Sequence, residues 1–202
     1  MTKRRDEALD AAQYHFSNWL VHNWSRAGLV LAAGLFILAP LVFKSGGLTV
    51  GIIYLWLPFY MLHQYEEHAR GDFLDWYKRR MPTIAPFLTE RKLPVVNLGS
   101  IWALFTLALY VAFLVRPGLG LAAPYIALIN SAVHIGQLWR WHSYNPGLWT
   151  ALILFIPAGI CTIVILLATG ATPLDNFIGF GIALLVHLFF FALGRGWIWS
   201  TL

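Results

Sequence analysis

Three apolar stretches of this chain carry imidazole or carboxylate groups. His63-Gln64-Tyr65-Glu66-Glu67-His68 closes a run that begins at Leu48, Asn130 stands one helical turn before His134, and His187 is isolated within Leu184–Phe191. Ionisable groups at membrane depth are costly and mark functional sites by default. On a helix, residues three and four apart share a face, so His63, Glu66 and Glu67 point broadly together, as do Asn130 and His134. Carboxylates and imidazoles from facing helices build metal sites in bundle cores, usually as Glu-x-x-His, and His63-x-x-Glu66 is that pair reversed. The expected ligand set is His63, Glu66, Glu67, His134 and His187, around a divalent ion. Mixed nitrogen and oxygen donors suit zinc, iron or manganese, and no cysteine pair or His-Glu-x-x-His spacing narrows the choice. Glu66, Glu67 and His134 are the candidate catalytic groups, since without a metal the same set does acid–base work.

Each group also has a plainer reading. Glu66, Glu67 and His68 stand beside Arg70 at a helix end, where they would mark the membrane boundary. Asn130 with His134 fits a helix–helix hydrogen bond of the kind membrane bundles use. His187 could bond a neighbouring carbonyl.

The elements that must position these groups follow from composition. With 59% hydrophobic residues, 11% charged residues and ten tryptophans among 202 residues, the chain is expected to be an all-α polytopic membrane helix bundle. A span needs about 20 mostly apolar residues. Six segments approach that length: Ala27–Phe43, Leu48–Glu67, Val95–Val115, Leu119–Trp141, Leu148–Thr169 and Leu174–Leu193. Lys44-Ser-Gly-Gly47, Arg116-Pro-Gly118, Asn145-Pro-Gly147 and Gly170-Ala-Thr-Pro173 supply the turns between neighbours. Residues 1–26 form an N-terminal interfacial helix, and residues 27–202 the transmembrane domain. The single Cys161 excludes an internal disulfide framework. The net charge of +5 reflects membrane topology rather than nucleic-acid binding, because its basic residues sit in loops beside apolar runs.

Lysine and arginine placement sets the expected orientation. With a cytoplasmic N-terminus, Lys3, Arg4, Arg5, Arg26, Arg70, Lys78, Arg79, Arg80, Arg91, Lys92, Arg140 and Arg195 fall inside, against Lys44 and Arg116 outside. Both termini are then cytoplasmic, and no cleavable signal peptide is expected. Segments two, four and six run outside to inside. Their histidines lie about four to seven residues before the helix ends, which at about 1.5 Å per residue differ by only ~5 Å in depth. Three helices therefore present polar groups to one cavity in the cytoplasmic leaflet.

His63-Gln-Tyr-Glu66-Glu67, then Asn130-x-x-x-His134, then Tyr144-Asn-Pro146-Gly147 resembles, in that order, the HXXEE-motif family of small bacterial integral membrane proteins. The resemblance covers about residues 48–160. It implies a bacterial inner-membrane location and an active or metal site, in a family whose function is uncharacterised. Around the Tyr144-x-Pro-Gly147 turn, Tyr144 is a candidate hydrogen-bond donor to a ligand. Gln137 and Arg140 continue the His134 face, with Arg140 a candidate for an anionic headgroup. Apolar residues at helical spacing from Leu9 to Leu20, and the aromatic and basic stretch Phe73–Arg80, read as elements lying on an anionic leaflet.

Three function classes remain. The favoured one is a metal-dependent membrane enzyme whose lipid, isoprenoid or other apolar substrate enters sideways from the bilayer. The second keeps Glu and His but no metal. Glu66-Glu67-x-x-Arg70 with His134 and His187 is distantly similar to the glutamate-dependent CAAX-type membrane peptidases, although that family has one more residue between its Glu pair and Arg, a Phe where Asn130 stands, and usually eight helices. Isoprenoid isomerisation or cyclisation would use the same acid and base. The third class is a transporter or lipid-binding protein. Polar groups confined to one leaflet, without inverted repeats, disfavour a path through the membrane.

Overall fold

A computed structural model describes residues 2–83 and 88–195 of the chain, with side chains from residue 15 onward. Among the described residues every regular element is a helix. Five helical stretches are long and apolar enough to cross a membrane: His15–His68, Lys92–Leu114, Pro117–Trp141, Leu148–Ala168 and Pro173–Leu193. The first is two crossings in one.

That doubling is made by one glycine. Helix α1 (Thr2–Tyr54) breaks at Gly47, whose φ of 72° and ψ of −173° lie in a region open to glycine alone. The chain reverses there into a hairpin whose pairings nest around the turn. Gly51 lies against the Phe43 ring, the Tyr54 hydroxyl donates to the Leu35 carbonyl at 2.7 Å, and the Phe36 and Phe59 rings stand 5.8 Å apart. At the open end Arg26 donates to the Ala69 carbonyl at 3.2 Å, and Trp24 meets His68. The returning arm continues through Leu55, itself in helical conformation, into α2 (Trp56–His68). Six crossings result, with boundaries within a few residues of those expected.

The N-terminal part of α1 runs into the first crossing with no turn near residue 26. The stretch expected as an interfacial helix is continuous with the first crossing from Thr2 onward; the side chains of Lys3, Arg4, Arg5, Leu9 and Ala12 lie outside the described residues. Helix α3 (Asp72–Arg80) begins after Gly71, which takes a left-handed φ of 76°. Its aromatic face does not lie on lipid. Phe73, Leu74 and Trp76 are buried, Trp76 donates to the Tyr144 carbonyl at 3.2 Å, and only the charged face, including Asp75 and Lys78–Arg80, is exposed.

The third crossing comprises α4 (Lys92–Val96), a π-helical turn at Asn97–Trp102 and α5 (Ala103–Leu114). After a 3-10 turn at Pro117–Leu121, α6 (Ala122–Trp141) forms the most enclosed crossing. Ala123 and Ala127 let it approach its neighbours closely, around a core of Trp56, Tyr60, Phe105, Ile126 and Phe155. The short α7 (Leu148–Thr150), a second π-helical turn at Ala151–Phe155 and α8 (Ile156–Ala168) form the fifth crossing, and α9 (Pro173–Gly194) the sixth. Helix α9 starts in a capping box between Thr172 and Asp175. Asp175 also pairs with Arg116 at 2.7 Å, which ties the ends of two crossings at the face away from the histidines.

Candidate functional site

Along the returning arm, Trp56, Tyr60, His63 and Gln64 recur at helical spacing and are buried, so the last turns of α2 are held by packing on both sides of His63. His63 is 0% exposed, with its ring 4.6 Å from Phe155 and 5.0 Å from His134. Glu67 follows one turn later. Its Oε2 lies 3.7 Å from His63 Nε2, and its Oε1 lies 3.9 Å from His134 Nε2. Among the described residues these three form the one His, Cys, Asp and Glu group compact enough to hold a metal ion, with one donor atom from each within 4.8 Å of the others.

Hydrogen bonds fix which nitrogen of each ring faces inward. His134 Nδ1 meets Asn145 Oδ1 at 2.6 Å, while Asn145 Nδ2 donates to the His134 carbonyl at 3.0 Å. A carbonyl only accepts, so the amide orientation is forced and Nδ1 carries a proton; in the neutral ring Nε2 then holds the lone pair. On His63 the argument runs through Thr150. The Thr150 hydroxyl lies 2.5 Å from Glu66 Oε2, an acceptor when ionised, and therefore donates there. His63 Nδ1, 2.8 Å from the same hydroxyl, must be the donor to it. Both imidazoles thus turn Nε2 toward Glu67 with Nδ1 tied off, and in the neutral rings this is the tautomer that metal-ligating histidines adopt.

The Tyr144–Gly147 turn supplies more than a reversal. Gly147 has a φ of 95°, and a Cβ there would sit 2.7 Å from the Cε1 atoms of both His63 and His134. Only hydrogen fits between the turn and the two rings. Asn145, from the same turn, is 0% exposed and sets the His134 tautomer. The Tyr144 hydroxyl donates to Glu66 Oε1 at 2.9 Å. Burial and that carboxylate push the Tyr144 phenol up to about 12, so it stays a donor.

Glu66 and Glu67, one residue apart, separate completely. Glu66 accepts from the backbone N–H groups of Trp149 and Thr150, at 3.0 and 2.7 Å, and from the Tyr144 and Thr150 hydroxyls. It caps the N-terminus of the fifth crossing and faces a surface cleft lined by Arg26, Arg70, Tyr144 and Trp149. Glu66, expected in the ligand set, has both oxygens engaged in that cap and stands outside the compact group. His187, also expected there, donates from Nδ1 to the Ala183 carbonyl one turn back at 2.8 Å and stands outside the compact group. His68, expected at the boundary, is enclosed by Trp24 and Phe73, with Nε2 3.3 Å from Glu67 Oε2. Asn130 Nδ2 lies 2.9 Å from His63 Nε2. Arg140 is exposed.

Glu67 opens into a cavity of about 490 Å³. The cavity is mostly apolar, walled by side chains such as Ile101, Ile126, Val133 and Phe190. Glu67, His68, Tyr77, Asn130, Gln137 and His187 contribute its polar groups. Gln137 donates to the Tyr77 hydroxyl at 3.1 Å. Burial, and secondarily the Glu67 charge, push the Tyr77 phenol up to about 12.

Thr150, Asn145 and Gln64 are the contributors that spacing alone did not mark. Their partners are distant in sequence, and a hydroxyl or amide on another helix leaves no periodic signal. No curated protein and no solved structure matches the chain. A family model described as "protein of unknown function with HXXEE motif" matches residues 54–162. That match covers more than half of the sequence and contains His63, Glu66, Glu67, His134 and the turn that holds the histidines in place, so the chain belongs to the HXXEE family.

Proposed function

We propose that this protein is a metal-dependent integral membrane enzyme acting on a lipid, isoprenoid or other apolar substrate, with His63, Glu67 and His134 holding a divalent zinc, iron or manganese ion. The observation that carries the reading is the convergence of two tautomer-fixed Nε2 lone pairs on one carboxylate at the wall of an apolar cavity. The donor set fits. Ligand atoms around a tetrahedral zinc stand ~3.3 Å apart, given bonds of about 2.0–2.1 Å, and here one donor atom from each of the three residues lies within 4.8 Å of the others, so side-chain shifts would close the set. Three protein ligands leave a coordination position open, through which a bound ion would polarise water, dioxygen or a substrate oxygen. His68, with Nε2 3.3 Å from the same Glu67 oxygen that faces His63, orients that carboxylate. Asn130, whose amide lies on the His63 lone pair, turns aside to admit the ion.

The twelve-to-two distribution of basic residues supports placing this end of the bundle in the cytoplasmic leaflet of an inner membrane. The Asn130 contact favours a second reading, in which Glu67 and the histidines act as acid and base without a metal. A CAAX-type mechanism finds less support, since its second glutamate would be Glu66, which is occupied by Tyr144, Trp149 and Thr150.

Elemental analysis of purified protein separates the two readings. One equivalent of metal is expected in the wild type, with at least a tenfold loss in His63→Ala, Glu67→Ala and His134→Ala at unchanged detergent gel-filtration volume. A folded wild type that stays metal-free after expression in supplemented medium sinks the metal reading and leaves acid–base chemistry.

A further inference from the structure

Next to the Glu67 cavity lies a second space of about 460 Å³, open on the lipid-facing side, between the third crossing and α9. One wall carries Gly99, Ser100 and Ala103, and the other Ile182, Leu185 and Phe189. Val186 and Phe190 line both spaces, so the outer groove and the inner cavity are contiguous. Helix α9 packs along α6 and the Pro117–Leu121 turn and hardly touches α5, which leaves the groove as a seam in the bundle.

We infer that this seam is a lateral portal for a single-chain amphiphile dissolved in the bilayer, whose hydrocarbon chain lies in the groove while its polar head reaches Glu67. This rests on the reading of the His and Glu cluster as the reacting site. The small residues make a trough wide enough for one chain, and a Cβ built on Gly99 would meet nothing within 4 Å. Polarity is confined to the inner space: Glu67, Asn130, Gln137 and Tyr77 lie there, whereas the groove is walled almost entirely by apolar side chains. A chain with one polar end matches that gradient, since moving its tail from lipid into an apolar trough leaves no polar group unpaired.

The first wall is also fixed relative to the site. Gln64, next to His63, donates to Asn97 Oδ1 at 2.8 Å and accepts from Trp102 Nε1 at 2.6 Å, so it grips both ends of the π-helical turn. Such turns interrupt the helical ladder and recur at functional sites. The portal therefore has a rigid jaw, registered to the histidines, facing the more loosely held α9.

Photolabelling tests the portal. The probe is a palmitic acid analogue with a mid-chain diazirine, added to protein in phosphatidylcholine vesicles and read by mass spectrometry. Ile101 and Ile126 line the inner cavity and are 3% and 2% exposed, so bulk lipid does not reach them. Adducts are expected on both. Excess unlabelled palmitic acid, and either Ala103→Trp or Leu185→Trp, should cut them at least tenfold, while adducts on outward-facing Ile153 and Val164 stay unchanged. No adduct on Ile101 or Ile126 in folded protein, or adducts indifferent to both tryptophans, overturns the portal. Metal content of the same samples separates the two ideas. Saturable labelling of a metal-free protein keeps the portal and removes the ion; bound ion without labelling keeps the ion and removes the portal.

Discussion

Thr150 and Gly147 shape the site as much as His63, Glu67 and His134 do. The Thr150 hydroxyl accepts from the buried His63 imidazole and donates to Glu66; losing it leaves His63 Nδ1 unsatisfied, at about 1–3 kcal/mol, while Glu66 keeps its other three donors. Thr150→Val is expected to lower the thermal midpoint in detergent and weaken metal binding about 10–100-fold, the usual cost of deleting an outer hydrogen-bond partner. Thr150→Ser should restore both, because it keeps the hydroxyl. Gly147→Ala combines a strained φ with a Cβ 2.7 Å from both rings; backbone strain alone costs about 1–3 kcal/mol. Metal content should fall at least tenfold, whereas Gly170→Ala, equally positive in φ but with nothing within 4 Å, should lose stability and keep its metal. At this scale the sequence was half legible. His63 and Glu67 share a helical face and His134 matches them in depth, so their meeting follows from spacing. The division of labour between Glu66 and Glu67 does not, since a step of about 100° is settled only by where Trp149 and Thr150 arrive.

Among the elements, the crossings were the most readable part, because long apolar runs and glycine or proline turns have few alternative folds in lipid. Lys44-Ser-Gly-Gly47 gave the hairpin turn, and Gly47 supplies the one conformation that makes it. Gly47→Ala should cost about 1–3 kcal/mol, seen as a lower thermal midpoint and faster proteolysis within the Lys44–Leu48 turn. The amphipathic stretch Phe73–Arg80 was legible as a helix with one aromatic face, but not by what covers that face. Composition cannot distinguish lipid from protein as the partner, and here Trp141, Tyr144 and His68 take the place of lipid. The two π-helical turns left no trace in the hydropathy pattern, since one extra residue per turn alters phase without altering polarity.

Across the whole molecule, chemistry and anchoring occupy opposite ends. The histidines and Glu67 gather where α2, α6 and α7 meet, while Arg116, Asp175 and the Tyr125–Asn176 hydrogen bond tie the far end. Asp175→Ala removes a buried carboxylate that serves both a capping box and an ion pair. Loss of a cap alone typically costs about 1 kcal/mol, so the thermal midpoint should drop. Metal content per folded molecule should be unchanged, a separation that a general loss of packing would not produce. The bundle, its turns and the shared depth of the histidines could all be read before any coordinates. The cavity could not, because volume arises from how six crossings lean together. The Thr150 hydroxyl also sets an order of events during synthesis. A nascent chain that has emerged only as far as Trp141 already contains His63, Glu67 and His134, yet nothing holds either imidazole in one tautomer. Asn145, Gly147 and Thr150 come later in the chain, so the arrangement of the two rings can be completed only after Thr150 has emerged, and a product truncated before it would lack the contacts that hold them.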